Sequence, residues 1–111
     1  MNKLHLSHAA QRDLAEIQEY ISAELENPKS AKDIVKNITK DIRVLQSFAL
    51  AGPLLSSIAD VDSDYRFLVS GNYMVFYRVY ENDVYVDRIL YGRRDYLRIL
   101  FENIIDNDAT E

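Results

Sequence analysis

YRFLVSGNYMVFYRVYENDVYVDRILYGRRDY, residues 65–96, contains three runs of β-branched and aromatic residues, 65–70, 73–80 and 84–91, separated by turn residues. Gly71-Asn72 predicts a two-residue hairpin turn. A turn of that length sets Ser70 opposite Tyr73, Leu68 opposite Val75, Arg66 opposite Tyr77 and Tyr65 opposite Arg78, so one face carries Arg66 beside Tyr77. The second turn is either a three-residue loop, Glu81-Asn82-Asp83, or the pair Asn82-Asp83. The shorter version is preferred because it places Arg78 opposite Asp87 as a cross-strand ion pair.

Upstream of this meander the pattern is helical. Leu4 and Leu6 flank His5 in a short first strand, and Ser7 is positioned as an N-cap. Ala10, Leu14, Ile17, Ile21 and Leu25 recur every three or four residues and predict a helix over 8–26. Asn27-Pro28 then starts a second helix, with Asn as cap and Pro at the first helical position. Its apolar stripe is Ala31, Ile34, Val35, Ile38, Ile42 and Leu45, and so short a link makes the pair an antiparallel hairpin. Residues 48–64, with Gly52, Pro53 and the acids Asp60, Asp62 and Asp64, show no period and read as a long connection. After Gly92, the run Tyr96, Leu97, Leu100, Phe101 and Ile104 predicts a short terminal helix whose apolar side chains are either core or docking surface. The fold class is therefore α+β: an N-terminal helical hairpin on a small, mainly antiparallel sheet, with a short C-terminal helix. One domain spans 1–105, and 106–111 is an acidic tail.

Composition narrows the function. The chain has 111 residues, no Cys, no Trp and a net charge of -5. Without Cys there is no disulfide framework, thiolate metal site or Cys nucleophile, and a reducing cytoplasm is the expected location. Nothing resembles a metal-ligand cluster, a P-loop or a catalytic triad, so no cofactor is expected. The acidity is uneven: residues 1–64 carry net -3, residues 65–100 net +2 and the last eleven net -4. Six of the eight arginines and seven of the eight tyrosines lie between 65 and 98, a mixture suited to gripping phosphate and stacking on bases as well as to building a sheet. Lys29, Lys32, Lys36 and Lys40 form a cationic ridge on the second helix, either a solvated face or a surface for an acidic segment or nucleic acid. His5 and His8 have no evident partner and read as surface or capping residues.

Taken in order, Tyr65-Arg66 at a strand start, the tight turn, Tyr73-Met74-Val75-Phe76-Tyr77, and Arg88-Ile89-Leu90-Tyr91-Gly92-Arg93-Arg94-Asp95-Tyr96 resemble the RelE/ParE toxins of type II toxin–antitoxin modules over nearly the whole chain. The resemblance implies a toxin that arrests growth and is neutralised by a cognate antitoxin encoded nearby, with operator DNA bound through the antitoxin complex. ParE-like members inhibit DNA gyrase. RelE-like members are metal-independent endoribonucleases that cut mRNA on the ribosome, a reaction needing a base, an acid and cations for the developing charge. Arg94 matches the arginine of the family's Gly-x-Arg position; Arg93, Arg66, Tyr96 and Tyr77 complete the candidate catalytic set. RelE-like enzymes carry an arginine where this chain has Met74, and a thioether cannot hold phosphate. The implied target is therefore gyrase or one not yet assigned; the alternatives are a RelE-like nuclease and an inactive antitoxin-binding relic.

Overall fold

The structure, a computed structural model, describes residues 1–24 and 26–101. Strand β1 (Lys3–Leu6) leads into helices α1 (His8–Glu24) and α2 (Pro28–Arg43), followed by strands β2 (Arg66–Ser70), β3 (Tyr73–Tyr80) and β4 (Asp83–Tyr91). A last helical segment, α3, occupies 96–101. The tail at 106–111, Ile104 and Leu25 lie outside the described residues. Both predicted caps form: the Ala10 N–H donates to Ser7 Oγ at 2.9 Å, and the Ser30 N–H donates to Asn27 Oδ1 at 3.1 Å. Between the helices, Glu26 takes a left-handed φ of 47°, which turns the chain before Asn27-Pro28. No helix among the described residues is long and apolar enough to cross a membrane.

The sheet order is β1-β4-β3-β2, with β1 parallel to β4 and the other pairs antiparallel. The first hairpin has the predicted register, Ser70 opposite Tyr73 through Arg66 opposite Tyr77, with Gly71 at a φ of +58°. The second differs from both expected turns. Its turn residues are Glu81-Asn82, because Glu81 itself adopts a positive φ of 54°, so Tyr80 pairs with Asp83 and Arg78 with Tyr85. Register then shifts: Tyr77 pairs with Val86 but Phe76 with Arg88, leaving Asp87 as an extra residue in β4. That bulge bends the strand and aims Asp87 back at Arg78, with Nη2 2.9 Å from Oδ2. The predicted ion pair exists, then, across a diagonal and not across a facing pair.

Both faces of the sheet are covered, which explains why four successive residues of β3, Met74 to Tyr77, are buried. On one face Val75, Tyr77, Val84, Val86 and Ile89 pack against Ile17, Ile21, Ile38 and Ile42 of the helical hairpin. On the other, Phe67, Met74, Phe76 and Leu90 pack with Leu55 and with Tyr96, Leu97, Leu100 and Phe101. The described apolar residues of α3 thus pack against the core while staying half-buried. The segment 48–64 is also more than a connection: Leu54 bridges Arg66 at the β2 edge, a short 3-10 turn runs Leu55–Ser57, and Leu55 is fully buried.

One buried charge joins helix to sheet. Beyond Leu6, β4 has lost its parallel neighbour, and its outer edge needs a substitute partner. Asp13 of α1 supplies it, accepting the Ile89 N–H at 2.9 Å and both Arg88 Nε, at 2.8 Å, and Arg88 Nη2, at 2.9 Å. The hydrogen bond to Asp13 holds the Arg88 guanidinium charged more firmly than usual.

Candidate functional site

Two features of the chain create the site: the tight turn at Gly71-Asn72 and the end of β4. The Gly92 N–H donates to the Asn72 carbonyl at 2.8 Å, so the strand end is tied to the first turn. A Cβ at Gly92 would stand 3.3 Å from that carbonyl oxygen and 3.6 Å from Met74 Cγ, so a small residue fits best. The chain then turns through Arg93 and Arg94, with the Arg94 N–H donating to the Tyr91 carbonyl at 2.9 Å and the Tyr96 N–H to the Arg94 carbonyl at 2.8 Å. The backbone is therefore what holds the junction, and both guanidinium groups project from exposed positions.

Arg94 borders a groove of about 500 Å³ between α1, α2 and the Asn72 end of the sheet. Tyr20, Tyr73, Tyr91, Asn72 and Glu16 share its walls, over a floor that includes Ile17 and Ile89. Tyr73 and Tyr91 are cross-strand neighbours with ring centroids 5.8 Å apart, and Tyr20 is exposed on α1. Burial, then the nearby Tyr91 and Tyr20 hydroxyls, push the Tyr73 hydroxyl pKa above its ordinary value. A groove with rings, hydroxyls and one cation at its rim can take an apolar side chain inside and an anionic group at its edge.

The remaining candidates fall elsewhere. Tyr77 has no solvent exposure, and its hydroxyl accepts the Gly52 N–H at 2.8 Å. Burial raises its pKa, against the Gly52 N–H and the Arg66 charge, which lower it. Arg66 Nη1 donates to the Gly52 carbonyl at 2.8 Å, so Arg66 and Tyr77 together grip both polar groups of one residue in the 48–64 segment. The pair predicted to share a face does share it, as a structural clamp. Tyr96 is half-buried with its ring 5.2 Å from that of Phe76, packed against the core. Tyr77 lies four residues along β3 from Tyr73, about 13 Å, so Arg66 and Tyr77 are not gathered with Arg93 and Arg94. Met74 is itself buried beneath Gly92 and α3, filling core where RelE-like enzymes carry a cation.

Sequence reasoning missed the groove tyrosines and Asp13. Tyr20 lies outside the tyrosine-rich segment, and only the helical hairpin's packing brings it to Tyr73 and Tyr91. Asp13 did have a signal, since it interrupts the apolar stripe between Ala10 and Ile17 at core-facing spacing. His5 has a partner after all, Asp83 Oδ1 at 2.8 Å, and stacks on Tyr85 with ring centroids 4.8 Å apart. Among the described residues, no group of three or more His, Cys, Asp or Glu is arranged to hold a metal.

Residues 4–96 match the family model described as the ParE toxin of type II toxin-antitoxin system, parDE. A solved chain titled as the chromosomal ParDE TA system from P. aeruginosa has the same fold, with a TM-score of 0.69 and 24% identity over 82% of this chain and 96% of that one. No curated protein matches.

Proposed function

The chain belongs to the ParE toxin family of type II toxin–antitoxin systems, which implies a cognate antitoxin partner, and on that premise we propose that it arrests growth in the cytoplasm by inhibiting DNA gyrase. The observation that carries this reading is the fate of the catalytic candidates. A nuclease needs a base, an acid and cations converging on one phosphate. Here Tyr77 and Arg66 are engaged with Gly52, Met74 is core, and of the candidates only Arg93 and Arg94 are exposed, Arg94 at the rim of the groove. Two arginines can hold a carboxylate or phosphate of a partner, while the tyrosines that the resemblance offered for proton transfer, Tyr77 and Tyr96, have their rings packed in the core. The groove and its arginines then serve in recognition of the target or of the antitoxin, and operator DNA is reached through the antitoxin of the complex.

Expression without the product of the neighbouring reading frame tests this. Double-strand breaks that depend on gyrase, with messages intact and the effect reduced in Arg94→Ala, are the expected result. Messages cut at defined codons, with cutting lost in Arg94→Ala, would replace this reading with a RelE-like nuclease. Normal growth despite tight antitoxin binding would mark the chain as an inactive antitoxin-binding relic.

A further inference from the structure

We propose that the outward face of α2 is a contact surface for the phosphate backbone of duplex DNA, independent of the groove and of the choice of target. Lys29, Lys32, Lys36, Lys40 and Arg43 follow one another at spacings of three and four residues, and all five are exposed. At 100° per residue they form a single stripe opposite the buried Ala31, Ile38 and Ile42. The fourteen steps from Lys29 to Arg43, at about 1.5 Å each, make that stripe about 21 Å long. Among the described residues none of the five takes part in an ion pair, even though Asp33 lies four residues after Lys29. Like charges so arranged oppose the helix, and a polyanion laid along them would relieve that repulsion.

The chemistry of the stripe selects the occupant. Four of the five cations are lysines, which act as flexible point charges towards phosphate and not as the planar forks that fix single carboxylates. Along the stripe the other exposed side chains are polar, Asp33 and Asn37, and the exposed apolar ones, Pro28 and Val44, stand only at its two ends, which leaves a folded acidic peptide little to anchor on. No aromatic residue lies on α2 either, and unpaired bases are held chiefly by stacking. A duplex requires neither: it offers about one charge per 1.7 Å of axis, on a rod straight over the length of the stripe. The chain's net charge of -5 limits the affinity without removing the site, because charges beyond a Debye length of about 10 Å are screened at 0.1 M salt.

Fluorescence anisotropy of the full chain with a labelled duplex, titrated from about 25 to about 200 mM salt, reads the contact directly. With five cations engaged, log K against log salt has a slope of about -4.5, or roughly a 10⁴-fold loss of affinity across that range. Lys36→Gln flattens the slope by about one unit, and the combined Lys29→Gln, Lys32→Gln, Lys36→Gln, Lys40→Gln variant keeps only about one unit of it, from Arg43. Arg12→Gln on α1, also exposed, leaves the slope unchanged; circular dichroism checks that each variant keeps its helices. No binding at the lowest salt would overturn the proposal, as would duplex binding that survives the fourfold substitution. Tighter binding of a single strand or of a poly-glutamate peptide would assign the ridge to that class of partner instead.

Discussion

Removing the Asp13 carboxylate is the sharpest test of what holds the two layers together. Asp13→Ala deletes three hydrogen bonds, leaves the Arg88 charge without its partner and orphans the Ile89 N–H at the open edge of β4. Breaking a buried ion pair from one side costs about 3–5 kcal/mol. The Arg88 side chain retains 27% exposure and can reach water, which places the expected loss near the lower end, about 3 kcal/mol. Asp13→Asn keeps an acceptor for the Ile89 N–H but not the charge, and costs about 1.5–3 kcal/mol. Replacing both partners, Asp13→Leu with Arg88→Met, removes the stranded charge and recovers up to about 2 kcal/mol of the loss, the unpaired Ile89 N–H retaining at least about 1 kcal/mol. Urea unfolding followed by circular dichroism measures each value, with Asp13→Ala lowering the midpoint by about 1–3 M at an unchanged slope. The reasoning fails if Asp13→Ala loses less than about 1 kcal/mol, or if the double variant is no more stable than Asp13→Ala alone.

Three further outcomes follow from the same contacts. Tyr77→Phe strands the buried Gly52 N–H and lowers stability by about 1–3 kcal/mol in denaturant titration, with the fold retained. Gly52→Ala is worse, by about 3 kcal/mol or more, because its Cβ would approach the Phe67 carbonyl oxygen and stand 2.8 Å from the Tyr77 hydroxyl; a variant as stable as the parent would contradict that crowding. Burial first, then the hydrogen bond to Asp87, push the Tyr65 hydroxyl up to about 12, so its contribution to stability is complete below pH 10 and declines as pH rises from 10 to 12. Ultraviolet titration of tyrosinate absorbance tracks it, and Asp87→Asn moves this transition towards the ordinary tyrosine value.

The first hairpin was legible because Gly71-Asn72 leaves one turn geometry open and the side-chain alternation then fixes every pair. The second was not, since a non-glycine residue, Glu81, takes the positive φ, and the bulge at Asp87 corrects the register further along. Apolar periodicity located α1 and α2, yet it is silent on an aperiodic segment, and the packing of Leu55 and the Gly52 clamp arise only in three dimensions. For the site, the resemblance could not separate Arg66 and Tyr77, consumed within the fold, from Arg93 and Arg94, left exposed beyond β4. Charge patterning fared better, since the lysine ridge lies on solvent as its spacing implies.

The parallel pairing of β1 with β4 also bears on the order of events during synthesis. Lys3 pairs with Asp83, a separation of 80 residues, so the strand made first waits for the one made last. At about 5–20 residues per second, translation imposes a delay of roughly 4–16 s before that closure can begin. Over that interval the helical hairpin has no complete sheet on which to bury Ile17, Ile21, Ile38 and Ile42. The groove, which needs β4 and α1 together, does not exist until then. The two walls of the groove, α1 and the end of β4, are therefore made several seconds apart and come together only once β4 has been added to the sheet.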